Sequence, residues 1–164
     1  MNLMTPRKGS AARSDLYMGM DLGGKTWKLA FSNGSRLRYR TVEAWDLVAL
    51  AGEIDKARET LGIAQAGKVI SCHEAGRDGF SVHRALEKQG ICSLVVDSSS
   101  IEVDRRKRRV KTDRLDAKKL VRQLVRYCQG DTDALRVVRV PTVEQEDERR
   151  PGRERERLQK ECFG

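Results

Sequence analysis

Short-spaced cysteine and histidine ligands are missing from this chain. None of its four cysteines, Cys72, Cys92, Cys128 and Cys162, belongs to a C-x-x-C pair, and only two histidines occur, His73 and His83. A zinc site needs thiolates and imidazoles clustered at short spacing, so the usual zinc modules are excluded. Cysteines scattered in this way are expected as free thiols in a reducing cytoplasm. Long apolar runs are missing too. None approaches the ~20 residues that span a bilayer, so no membrane-crossing helix is expected. The opening MNLMTPRKGSAARSD starts basic but lacks the apolar stretch of a secretion signal, which again favours a cytoplasmic protein. Aromatic residues make up only 5% of the chain, which argues against a stacking platform for single-stranded nucleic acid.

Charge is abundant. Lysine and arginine number 33 against 24 acids, a formal net charge of +9 over 164 residues. A basic protein of this size attracts polyanions, nucleic acid first among them, although net charge alone fits any soluble basic protein. The length suits one domain with a real core, and a hydrophobic share of 38% keeps that core compact.

The order of periodicities predicts βββαβαβα. Residues 1–15 read as a disordered leader. Leu16 to Leu22 (LYMGMDL) is an apolar strand that ends in an acid and a Gly23-Gly24 turn. Trp27 to Ser32 and Arg36 to Val42 follow as strands, with Asn33-Gly34 as the hairpin signal between them. Ala44 to Leu61 switches to helical spacing, with Trp45, Leu47, Val48, Leu50, Ile54, Ala57 and Leu61 on the apolar face and Gly62 as the stop. Lys68 to Cys72 is a strand that runs into Glu74. Asp78 to Gln89 is a helix closed by Gly90, and Ile91 to Val96 is a buried strand. Thr112 opens a helix from Asp113 to about Cys128, with Leu115, Leu120, Leu124 and Tyr127 as candidates for its apolar face. Leu135 to Val140 is one more expected strand. From Pro141 onward nearly every residue is charged, which fits a solvated helix, a linker or disorder. The expected fold is α/β: a mixed sheet of three antiparallel strands followed by alternating strands and helices.

Four acids fall where such a fold concentrates chemistry. In open α/β sheets, functional groups gather at the carboxyl ends of strands. Asp21 sits near the end of the first strand and Glu74 just past the end of the fourth. Asp113 and Asp116 are three apart at a helix start and therefore share a face. If that helix points its N-terminus at the active edge, all four carboxylates meet. Crowded acids repel unless a cation neutralises them, and magnesium favours hard oxygen ligands. Two such ions about 4 Å apart can clamp the attacking and leaving oxygens of a phosphodiester displacement. Each acid also has a purely structural reading. Asp21 could start a turn, Glu74 could be a loop acid, Asp113 could complement a helix dipole, and Asp116 could pair with a nearby base. The basic run Arg105, Arg106, Lys107, Arg108, Arg109, continued by Lys111, is expected to hold phosphates in register. A solvated charged loop is its alternative.

GMDLGGKTWKLAF, SCHEAG, VVDSSSIEVDRRKRRVKTDRLDAKKLVRQL and a closing LRVVRVP together resemble the N-terminal domain of the DEDD insertion-sequence transposases of the IS-one-ten and IS-one-sixteen type. The resemblance runs from about Tyr17 to Val140, and KTDRLDAKKL after a basic run is its most specific part. It implies an RNase H-like (RuvC-like) fold, with Asp21, Glu74, Asp113 and Asp116 as the carboxylates that bind magnesium. It also implies DNA strand cleavage and exchange for a mobile element, a structured guide RNA as partner, and a homo-oligomer. Family members continue into a helical segment and a second domain that carries a serine nucleophile. This chain is therefore expected to be a truncated N-terminal portion, its tail at 141–164 the start of that segment, and unable to complete transposition alone.

Two other readings compete. MDLGGKTWKLA also resembles the first phosphate-binding hairpin of the actin and hexokinase superfamily. There Gly23 and Gly24 would let the backbone approach phosphate, and Lys25 or Thr26 would contact it. A lone glycine loop is weak support, and that reading leaves the basic run and the D-x-x-D pair unused. The other is a non-catalytic nucleic-acid-binding remnant.

Overall fold

The computed structural model describes residues 15–101 and 113–145; of 113–115 it describes the backbone only. The elements run β1 (Leu16–Leu22), β2 (Thr26–Ser32), β3 (Leu37–Glu43), α1 (Leu47–Leu61), β4 (Val69–Glu74), α2 (Gly79–Lys88), β5 (Cys92–Val96), a short 3-10 turn (Ser98–Ser100) and α3 (Asp113–Cys128). This is the βββαβαβα order expected from periodicity.

The five strands form one mixed sheet in the order β3-β2-β1-β4-β5. β1 pairs antiparallel with β2, and β2 antiparallel with β3. β1 pairs parallel with β4, and β4 parallel with β5. Local chemistry shapes the turns. Asn33 accepts from the Ser35 and Arg36 N–H groups through Oδ1, and Gly34 takes φ 100°, so the β2–β3 link closes tightly. Gly62 ends α1 at φ 69°, and its N–H caps the Arg58 and Glu59 carbonyls.

Alternation along β1 divides the core between two faces. Leu16, Met18 and Met20 join Trp27, Leu29 and Phe31 on one face, covered by Leu50, Ile54 and Ala57 of α1 and Val82 and Leu86 of α2. The opposite face carries α3. There Leu120 and Leu124 pack with Cys72 and Val96, and Ala117 and Val121 pack with Ala30. Each large apolar side chain buried in these layers stabilises the fold by about 1.5–3 kcal/mol.

α3 runs opposite to β1. Its Ala117 and Val121 backbone lies over Gly19, while Cys128 at its far end lies near Asp15. The first turn of α3 therefore sits at the carboxyl end of β1.

Two sequence expectations need correction. Trp45 and Val48 are not on the buried face of the first helix. They are 45% and 85% exposed, because Asp46 caps the helix and starts it at Leu47, which turns both side chains outward. The strand expected over Leu135 to Val140 shrinks to a single antiparallel bridge between Val96 and Val137. Bonds from Asp97 N–H to the Arg136 carbonyl and from Val138 N–H to the Val95 carbonyl flank it. Pro141 has no N–H with which to extend a ladder, and its carbonyl is taken by Arg84 Nη2 at 3.0 Å. The expectations for 1–14, 102–112 and 146–164, Thr112 and the basic run among them, lie outside the described residues.

Candidate active site

The carboxyl ends of β1, β4 and β5 form one rim of the sheet. Asp21 is the penultimate residue of β1. The side chain of Asp21 lies on the α3 face, since two residues earlier a Cβ at Gly19 would meet α3. Glu74 is the last residue of β4, one position later than expected, and is exposed. β1 and β4 are adjacent and parallel with Met20 beside His73, so the next residue of each strand is Asp21 and Glu74. Cys72, two residues before Glu74, donates its thiol to the Leu120 carbonyl of α3 at 3.5 Å, so Glu74 shares the α3 face too.

Asp116 lies in the first turn of α3, half-buried, beside the buried Ala117. Asp113 is the first residue of α3, and its side chain falls outside the described residues. The fold thus brings Asp21, Glu74 and Asp116 to one rim and one face. Among the described residues, however, no three His, Cys, Asp or Glu side chains are grouped closely enough to hold a metal ion. As donors, the candidate acids offer only hard carboxylate oxygens, the ligand type that magnesium accepts.

Other groups border this rim. Lys28 stands directly opposite Asp21 in the antiparallel β1–β2 register, so the two side chains project from the same face. The Gly23-Gly24 turn holds Gly23 N–H on the Thr26 carbonyl at 2.9 Å, and a Cβ on Gly23 would stand 2.6 Å from that oxygen. Asp97, just past β5, is a rim acid that sequence reasoning did not weigh. Its Oδ1 accepts from Ser99 N–H at 2.9 Å, and that bond, with the Ser99 side chain, holds its carboxyl below the usual range. Its position right after an apolar strand was the available signal.

Beneath Glu74, on the other face, His73 is fully buried. Its Nε2 donates to the Gly79 carbonyl at 2.8 Å, because a carbonyl can only accept. Burial, opposed by that bond and aided by His83, pushes its pKa down.

Among the described residues no helix is long and apolar enough to cross a membrane. Cys72, Cys92 and Cys128 are free thiols.

No protein-family model matches the chain. The chain is similar to a Sinorhizobium fredii protein named "Putative transposase y4rJ", at 36% identity over 95% of the chain. It spans 41% of that protein's length.

Proposed function

We propose that this chain is the nuclease-fold portion of a DNA transposase of the DEDD insertion-sequence type, with an RNase H-like (RuvC-like) sheet. Asp21, Glu74, Asp113 and Asp116 are its metal-binding carboxylates, and the reaction is cleavage and exchange of DNA strands. One observation carries the reading: Asp21 and Glu74 end adjacent parallel strands on the face covered by α3, whose first turn bears Asp116. The similarity to a protein named as a transposase, the strand order β3-β2-β1-β4-β5 and the net charge of +9 support it.

In this reading the carboxylates bind magnesium, with two ions the expected number. When bound, magnesium supplies the positive charge that activates an attacking oxygen and steadies a leaving one. The chain's own residues do the rest. Asp21 and Glu74 offer oxygens from rigid strands, while Asp113 and Asp116 offer theirs from one face of a helix. Lys28, opposite Asp21, supplies a cation that attracts a phosphate to the rim. Arg105, Arg106, Lys107, Arg108, Arg109 and Lys111 hold the DNA backbone; they lie outside the described residues. A structured guide RNA and a homo-oligomer complete the assembly in the longer protein.

Nicking of supercoiled or branched DNA by this chain tests the reading. Magnesium-dependent nicking that Asp21→Asn abolishes is the expected result. Nicking that survives the substitution, or that ignores chelation, refutes it. A second reading, a DNA-binding module without cleavage, draws on the lack of a grouped carboxylate triplet among the described residues. DNA binding with no metal-dependent cleavage under any condition decides for that module.

A further inference from the structure

Trp45 takes φ 68°, and among the described residues no other non-glycine side chain has positive φ. This conformation is costly for a bulky residue and persists only where its surroundings impose it. The surroundings do so here. Ala44 N–H donates to the Lys25 carbonyl at 2.9 Å, Leu47 N–H to the Trp45 carbonyl at 3.0 Å, and the Asp46 carboxylate caps Ala49 N–H at 2.9 Å. The indole meets the buried Trp27 ring edge-on, with centroids 5.4 Å apart and planes at 62°. Even so, Trp45 remains 45% exposed, and Val48, three residues on, is 85% exposed. Packing alone would bury such a ring. A strained backbone that keeps one edge on Trp27 and leaves the rest to solvent serves a partner.

The location narrows that partner. β3 ends at the same rim as β1, because β2 runs antiparallel to both. Trp45 therefore lies about two strand spacings, ~10 Å, from the strand of Asp21. The β1–β2 turn beside it carries the exposed Lys25. A flat ring beside cations, next to the rim proposed to cleave DNA, matches an unpaired base whose phosphates run on toward the acids. We propose that Trp45, flanked by Val48, stacks on an unpaired DNA base and so orients the strand entering the rim. This rests on the transposase reading above. The low aromatic content speaks against a platform for many bases, but one base needs only one ring.

Tryptophan fluorescence of the full chain, titrated with a single-stranded DNA oligonucleotide, its duplex and the matching ribo-oligonucleotide, tests this. Saturable quenching by the DNA single strand is expected. Trp45→Ala should weaken that affinity about 10-fold with little change toward duplex. Trp45→Phe should restore most of it. Trp45→Gly, whose backbone suits positive φ, keeps the fold and should bind single strands as weakly as the alanine variant. Undiminished single-strand binding by the folded alanine and glycine variants overturns the proposal. A tighter Trp45-dependent complex with the ribo-oligonucleotide overturns the assignment to DNA. Absence of any binding, duplex included, overturns the DNA reading of the whole chain rather than the role of Trp45 alone.

Discussion

A Cβ placed on Gly19 would stand 2.6 Å from the carbonyl oxygen of Ala117 and equally close to Val121 N. Both are backbone atoms of α3 and cannot swing aside. Glycine at this point of β1 is therefore what lets α3 lie against the sheet and bring Asp116 to the rim of Asp21. Gly19→Ala should destabilise the fold by about 1–3 kcal/mol, read as a lower urea midpoint. Gly24→Ala, whose added Cβ would meet nothing within 4 Å, is the control and should change stability by no more than about 0.5 kcal/mol. Equal midpoints for the two variants would refute the close packing.

The cap at Asp46 offers a second stability test. Its Oδ1 accepts from Ala49 N–H at 2.9 Å. Asp46→Ala leaves that amide without its side-chain partner and should cost about 1 kcal/mol in urea unfolding. Asp46→Asn, which keeps an acceptor, should lose much less.

Stability should fall on acidification through the histidine range. His73 is buried, and burial holds its pKa below the ordinary value of 6.5. The unfolded chain therefore takes up a proton before the folded one does. Stability from this group is complete above pH 6.5 and drains as pH falls below it, with a slope of at most about 1.4 kcal/mol per pH unit. Urea midpoints between pH 7.5 and about 5 measure this. His73→Gln can still donate to the Gly79 carbonyl but cannot titrate, so it should flatten the slope. An unchanged slope would assign the pH dependence to other groups.

Thiol labelling should separate the cysteines. Cys72 is fully buried and donates to Leu120, and burial raises its pKa far above that of a free thiol. Cys92 and Cys128 are exposed. Native labelling followed by peptide mapping should modify Cys92 and Cys128, though slowly, because partial burial raises their pKa values as well. Cys72 should react only once α3 has left the sheet, that is, on unfolding.

Metal binding can be read without any cleavage assay. If the rim carboxylates bind magnesium, the ion binds the folded chain alone and raises its urea midpoint. The gain is about 2.7 kcal/mol when free metal stands at a hundred times its Kd. Asp21→Asn or Glu74→Gln should remove that gain. A midpoint indifferent to magnesium in the unsubstituted chain would contradict the proposed site.

Local chemistry settled much of this protein before any fold was known. Alternation in LYMGMDL, the Asn33-Gly34 turn and the glycine stops at 62 and 90 identified the elements, because backbone preferences and burial periodicity act over a few residues. The acid at the end of the first strand and the pair three apart on a helix were legible for the same reason. Tertiary structure alone decided what depends on distant neighbours. It set β4 beside β1 in parallel, which aligns Asp21 with Glu74, and it turned α3 so that its first residues face that rim. It also turned Trp45 and Val48 outward, although their spacing fits an apolar helix face. Periodicity reports that a side chain is apolar, but which surface covers it depends on where the helix begins and what packs above it. A capping carboxylate at Asp46 and a neighbouring Trp27 determined both.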